Sequence, residues 1–305
     1  MAEDAPRHRT SGYAVAGGIL AHETFDGPSR PILALHGISS TRKLWLWLHD
    51  VAPDLRLIAP DLRGRGDSID HGRPGPASEV GRGNQRSGAY GIDAHVLDLI
   101  DLLNHIGLRR VHVVGMSLGA FVAVRLAQAF PNRVGGLTLV DGGLPMALPP
   151  GLTPRVLPQV FGGRLARLGR SWPDLETYRD TFCSEVAPLL ARDDALLRDY
   201  LRHDLDDEGM IRLDGDALLA DAEDVYFGPA RWQGLDIPMH LLHAEWSLGV
   251  DSIPAYEPSD LLSLEAAGIP TTLIPGADHA ACVMTRHGAS VVAEELRRAV
   301  VGPTD

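Results

Sequence analysis

Apolar residues in this chain fall into short runs separated by longer stretches with helical spacing. PILALHG (31–37), LRLIAPD (55–61), VHVVG (111–115), GLTLVD (136–141), IPMHLLHA (237–244) and TTLIPG (271–276) are such runs. Each is too short for a buried helix and is bounded by glycine, proline or a charged residue, so each predicts a buried strand. Near the N-terminus, SGYAVAGGILAHETFDG predicts a hairpin around Gly17-Gly18. Residues 93–107, 117–131 and 290–302 carry apolar positions at helical spacing and end in glycine or proline. Strands that alternate with helices predict an α/β fold, a doubly wound and mostly parallel sheet.

Two segments break the alternation. Residues 69–90 are rich in Gly, Pro, Ser and Arg without periodicity, and predict a long mobile loop. Residues 142–235 are helix-like throughout and separate two strands. An insertion of that length predicts a helical cap over one end of the sheet. The core is then 1–141 with 236–305, and the cap 142–235. Leu144, Leu148, Val156, Leu157, Val160 and Phe161 in the cap are expected to pack downward or to line a pocket.

Composition narrows the classes. The chain has 305 residues, 45% of them hydrophobic, enough for a sizeable core. The net charge of −12 and the lack of a Lys/Arg-rich block argue against nucleic acid and anionic membranes as partners. Lys43 is the only lysine among 28 basic residues, a bias that points to GC-rich coding and a bacterial source. Two cysteines, Cys183 and Cys282, make no disulfide scaffold and suit a reducing cytoplasm. The N-terminal stretch has no apolar h-region, and no apolar run is long enough to span a membrane.

The chemistry centres on VVGMSLGAFVAV (113–124). As a bare string, Gly-x-Ser-x-Gly is a weak signal. Here it stands between a strand and a helix, the context of a nucleophile on a tight turn. Gly115 and Gly119 would leave room where side chains would collide with the neighbouring strand and helix. The Leu118 N–H, at a helix N-terminus, is placed to donate to an oxyanion. A second donor is expected from the backbone N–H of Ile38, after the strand LALHG. His36, before Gly37, is expected to brace that loop.

Ser117 needs a base, and the base needs an orienting acid. The base is expected in the loop after the last strand, where IPGADHAACVM (274–284) offers His279. His240 and His243 sit at odd spacing on a strand, point to opposite faces and form no metal pair.

LALHGISS followed by Trp45 and Trp47, IAPDLRGRGDS (58–68), GMSLG (115–119), LTLVDGG (137–143) and PGADH (275–279) occur in this order. Together they resemble the α/β-hydrolases over residues 30–300, and within that superfamily the bacterial cap-bearing serine esterases and lipases. Inside PDLRGRGDS the tripeptide Arg65-Gly66-Asp67 reads as a structural turn.

The sequence departs from the family pattern at the acid. The usual position, after the penultimate strand, holds Ser247, and Ala244 stands where a glycine is usual. Asp141, at the end of LTLV, occupies the place from which some family members take their acid. Asp251 and Glu245 lie on the loop after the penultimate strand. All three remain open at this point.

The resemblance implies a serine hydrolase acting on a small-molecule carboxylic ester or lactone. Its alternatives are C–C hydrolysis or a tailoring reaction by the same triad, or an inert ligand-binding protein on the same fold. No cofactor is expected: LHGISSTRK lacks the dinucleotide Gly pattern, and no Cys/His cluster has metal spacing. Trp45, Trp47, Met116, Leu118, Phe161, Tyr226 and Phe227 are candidate pocket walls. The apolar start of the cap predicts an uncharged, fairly hydrophobic acyl or alcohol group.

Overall fold

In a computed structural model, the described residues are 8–15, 18–70, 90–146, 148 and 151–301. Most of the loop expected at 69–90 lies outside them, as does Gly17 of the expected hairpin turn.

Among the described residues, eight strands form one sheet in the order β1-β2-β4-β3-β5-β6-β7-β8. They are β1 (His8–Val15), β2 (Gly18–Phe25), β3 (Ile32–Leu35), β4 (Leu57–Pro60), β5 (Val111–Met116), β6 (Val134–Val140), β7 (Met239–Trp246) and β8 (Thr271–Asp278). The hairpin strands β1 and β2 are antiparallel, and β2 is antiparallel to β4. All the other pairings are parallel.

Helices fill the crossovers. They are α1 (Leu46–Val51), α2 (Ile92–His105), α3 (Leu118–Ala129), α9 (Pro258–Ala266), α10 (Ala281–Met284) and α11 (Arg286–Val301). Between β6 and β7 come α4 (Leu157–Val160), α5 (Gly162–Leu168), α6 (Leu175–Glu185), α7 (Ala195–Asp204) and α8 (Gly215–Phe227). The last three of these start on aspartates, Asp174, Asp194 and Asp214, whose side chains accept from the first free helix N–H groups.

Strand side chains alternate between the two faces, and the core follows that alternation. Ile32 and Ala34 face a layer with Trp45, Trp47, Val292 and Leu296. Leu33 and Leu35 face the layer of α2 and α3, with Leu99, Leu102, Val122 and Leu126. Aromatic residues of the inserted segment, Trp172, Tyr178, Phe182 and Tyr200, join the first layer. A smaller cluster ties Leu157 and Phe161 to Leu213, Leu218 and Ala222. Leu144 is buried, while Leu148 and Val160 are exposed.

The chain reverses direction across the sheet at β3: β4 lies on one side of it and β5 on the other. A crevice opens at such a switch point, outside the carboxyl ends of the strands. Leu35 pairs with Gly115 there, so the loop after β3 and the turn after β5 are neighbours.

Candidate active site

Ser117 stands on the turn between β5 and α3 with φ 55° and ψ −120°. That left-handed backbone is rare for a residue with a side chain, and strain of this kind collects at functional sites. The turn closes only because two residues lack a Cβ. One added at Gly115 would strike the Gly119 carbonyl, and one added at Gly119 would strike the Leu35 carbonyl.

Ser117, Asp141 and His279 line one pocket of about 500 Å³. His279 follows the end of β8, and its Nδ1 lies 2.5 Å from Asp141 Oδ2. Asp141 follows β6, where parallel pairing of Val140 with Leu242 sets it beside the end of β7. Its other oxygen, Oδ1, accepts from the Ala244 N–H at 3.1 Å. Both carboxylate oxygens are thus engaged, and the Asp141 side chain is only 1% exposed. His279 is 39% exposed, so its ring reaches from a buried anion to open space. Nδ1 faces the carboxylate, which leaves Nε2 as the ring nitrogen available for proton transfer. Ser117 and His279 share the pocket without a hydrogen bond between them, a common state of unliganded sites.

The other candidate acids stand apart from His279. Asp251 is exposed, at φ 64°, and does not line the pocket. Glu245 Oε2 accepts from the Gly276 N–H at 2.7 Å. Ser247 lines the pocket, and its hydroxyl donates to the Ile253 carbonyl. Asp278 is a positioning group that the sequence did not single out. Its carboxylate accepts from the Ala281 and Gly249 N–H groups at 2.9 Å each, tying the His279 loop to the loop after β7.

Gly37 and Ile38 line the pocket next to Ser117. Among the described residues, neither the Ile38 N–H nor the Leu118 N–H has a protein acceptor. His36 braces the loop as expected: Nδ1 donates to the Gly37 carbonyl at 2.8 Å, and Nε2 accepts from the Leu62 N–H at 2.9 Å. Burial pushes its pKa down to about 4, so the ring stays neutral near pH 7.

Arg65, from the Arg-Gly-Asp turn, is also tied to this loop. It is fully buried, and Nε and Nη2 donate to the Ile38 carbonyl at 3.2 and 3.1 Å. Nη2 also lies 2.6 Å from Asp221 Oδ2 on α8. Asp221 accepts in addition from His95 Nε2 at 3.0 Å and from the Gly91 N–H at 3.1 Å. Burial alone would raise the Asp221 pKa; His95 and Arg65 outweigh it and hold it at about 2. One buried network therefore links the inserted helices to the loop carrying Ile38.

Asp61, Asp67 and His203 approach one another as metal ligands would. The Arg42 guanidinium already pairs with both carboxylates, so a cation occupies that space.

Several expected pocket walls are placed elsewhere. Trp45 is fully buried in the core, because the tight turn Arg42–Trp45 packs against β3, β4 and α10. Trp47 is buried too, and its Nε1 donates to Asp194 at 2.9 Å. Leu118 packs on the α2–α3 side, and only its backbone faces the turn. Phe227 is exposed and outside the pocket. Met116, Phe161 and Tyr226 do line it. So do Arg164 and Arg167, two charges that an apolar reading of the segment's start did not anticipate.

A family model described as the alpha/beta hydrolase family matches residues 32–295, most of the chain. The chain belongs to that family. Among its relatives is lipase LipV of Mycobacterium tuberculosis, 37% identical over 117 residues, covering 38% of this chain and 39% of that protein. A 2-hydroxy-6-oxo-2,4-heptadienoate hydrolase of Pseudomonas putida is 31% identical over 144 residues, covering 45% of this chain and 47% of that protein. The alignments thus span less than half the length of either relative. The solved structure of an E-2-(acetamidomethylene)succinate hydrolase superposes with a TM-score of 0.70 at 18% identity, covering 96% of this chain and 100% of that one. At that identity the superposition speaks for the fold. Among the described residues, no helix is long and apolar enough to cross a membrane.

Proposed function

We propose that this hydrolase-family chain is a serine hydrolase that cleaves a carboxylic ester or lactone through an acyl-enzyme. The observation that carries the reading is a strained Ser117 sharing one pocket with a His279 that is held by Asp141 at 2.5 Å. His279 Nε2 takes the Ser117 proton as Oγ attacks the ester carbonyl. The imidazolium that forms is stabilised by Asp141, which also fixes the ring tautomer. The Ile38 and Leu118 N–H groups hold the developing oxyanion. His279 then protonates the leaving alcohol, and later activates the water that releases the acid. Residues 142–235 act as the cap over this site, on a core of 1–141 and 236–305. The substrate is a small molecule, with no nucleic acid or membrane partner, and the working compartment is the bacterial cytoplasm.

The dienoate hydrolase relative favours one second reading, in which the same three residues cleave a C–C bond next to a ketone. Hydrolysis of p-nitrophenyl esters from acetate to laurate separates the two. The ester reading expects turnover that is abolished in Ser117→Ala, with an optimum chain length set by the pocket. Absence of ester turnover in a folded protein whose Ser117 still reacts with a fluorophosphonate would move the assignment to C–C cleavage.

A further inference from the structure

Part of the pocket wall comes from α5 and the end of α6, and it carries charge. Arg164 and Arg167 both line the pocket, and at i,i+3 they share one face of α5. Glu185, at the end of α6, is the carboxylate beside them. Its Oε2 lies 3.4 Å from Arg167 Nη1, and it is itself 56% exposed. The other pocket carboxylate, Asp141, is committed to His279 and to the Ala244 N–H.

Arg164 has no carboxylate within ion-pair distance among the described residues. Its guanidinium carbon lies 5.2 Å from the centre of the Phe161 ring. A cation–π contact of this kind is not a hydrogen bond, so it leaves the N–H groups of Arg164 able to donate. Two neighbouring guanidinium groups repel each other, and one carboxylate offsets only one of them. This cationic wall belongs to a chain with a net charge of −12, so bulk composition does not account for it. A planar fork of N–H donors on a pocket wall matches a carboxylate, which it binds in bidentate fashion.

We infer that Arg164 and Arg167 form a carboxylate-binding subsite, and that the natural substrate is an ester or lactone bearing a carboxylate that reaches α5. The inference rests on the ester-hydrolase reading for the word ester, while the subsite itself does not need turnover. Arg164 carries most of the recognition, because Glu185 competes for Arg167.

The test compares p-nitrophenyl monoesters of glutarate, adipate and suberate with their methyl-capped, neutral counterparts. At one of these lengths kcat/KM favours the anionic ester by about tenfold or more at low ionic strength, and 0.5 M NaCl narrows the gap. Arg164→Gln lowers that ratio about tenfold, and Arg164→Lys restores part of it. Glu185→Gln raises it, because it frees Arg167. A merely structural role for Arg164 would move both ester series together. Calorimetry of monomethyl adipate against dimethyl adipate on Ser117→Ala reads the subsite without chemistry. Binding of the monoanion there, lost in the Arg164→Gln double variant, supports the subsite even if no ester turns over. Esters that turn over with no preference for the anion, or with a preference that Arg164→Gln leaves intact, would overturn it while leaving the hydrolase reading in place.

Discussion

Asp221→Asn is the substitution whose consequence follows most directly from the buried network. Asp221 and Arg65 are both fully buried and 2.6 Å apart, so each neutralises a charge that water cannot reach. An asparagine keeps one acceptor for the Gly91 N–H but sets a neutral amide against Arg65. Removing one member of such a pair strands the other charge, at a cost of about 3–5 kcal/mol. The ionisation sets the pH range. The folded-state pKa is depressed from 3.8 to about 2, so the contribution is fully present above about pH 4 and is lost as pH falls through 2. Urea unfolding of both proteins at pH 7 and at pH 3 reads the difference. The variant is less stable by about 3–5 kcal/mol at pH 7, and the gap narrows at pH 3. Arg65→Met with Asp221→Asn is milder than the sum of the two single changes, because no charge is then stranded. A loss below about 1 kcal/mol at pH 7, or additive single changes, would refute the reasoning.

The remaining predictions concern the elbow and a second buried acid. Gly119→Ala drives a Cβ into the Leu35 carbonyl and costs about 3 kcal/mol or more, read as a fall in Tm or as insoluble expression. A Tm within about 2 °C of wild type would contradict the collision. Asp204 is buried, accepts from the Tyr178 hydroxyl, and has its pKa raised to about 6 by desolvation. Its charged form is disfavoured in the fold, so the wild type loses stability as pH rises from about 4 through 6. Asp204→Asn keeps an acceptor without the charge. Its Tm therefore exceeds the wild-type value at pH 8, and the difference closes toward pH 4. Parallel Tm curves across that range would count against the assignment.

Motif order made the sheet, Ser117 and His279 legible, because each follows from a local feature: a short apolar run, paired glycines or a place after the last strand. Asp141 could not be separated from Asp251 by the same means. What separates them is pairing between strands far apart in the chain, which sets Asp141 beside Ala244 and leaves Asp251 in solvent. Trp45 looked like a pocket wall from its place after LALHGISS, but a tight turn rotates it into the core. Arg65 read correctly as part of a turn, yet it also reaches Ile38, 27 positions back, and Asp221, more than a hundred positions on. Arg164 and Arg167 escaped notice because exposed helical arginines are common, and only the packing of the inserted helices makes them a pocket wall.

The most direct test of the central claim is the rate at which a fluorophosphonate labels Ser117, with the site identified by mass spectrometry. Wild-type protein and Asp251→Asn label at Ser117 at similar rates. His279→Ala labels orders of magnitude more slowly. Asp141→Asn falls by up to about 10³–10⁴-fold while keeping its fold, because the imidazole loses its tautomer and orientation. Labelling that is absent from Ser117, or that Asp141→Asn leaves unchanged while Asp251→Asn abolishes it, would contradict the account.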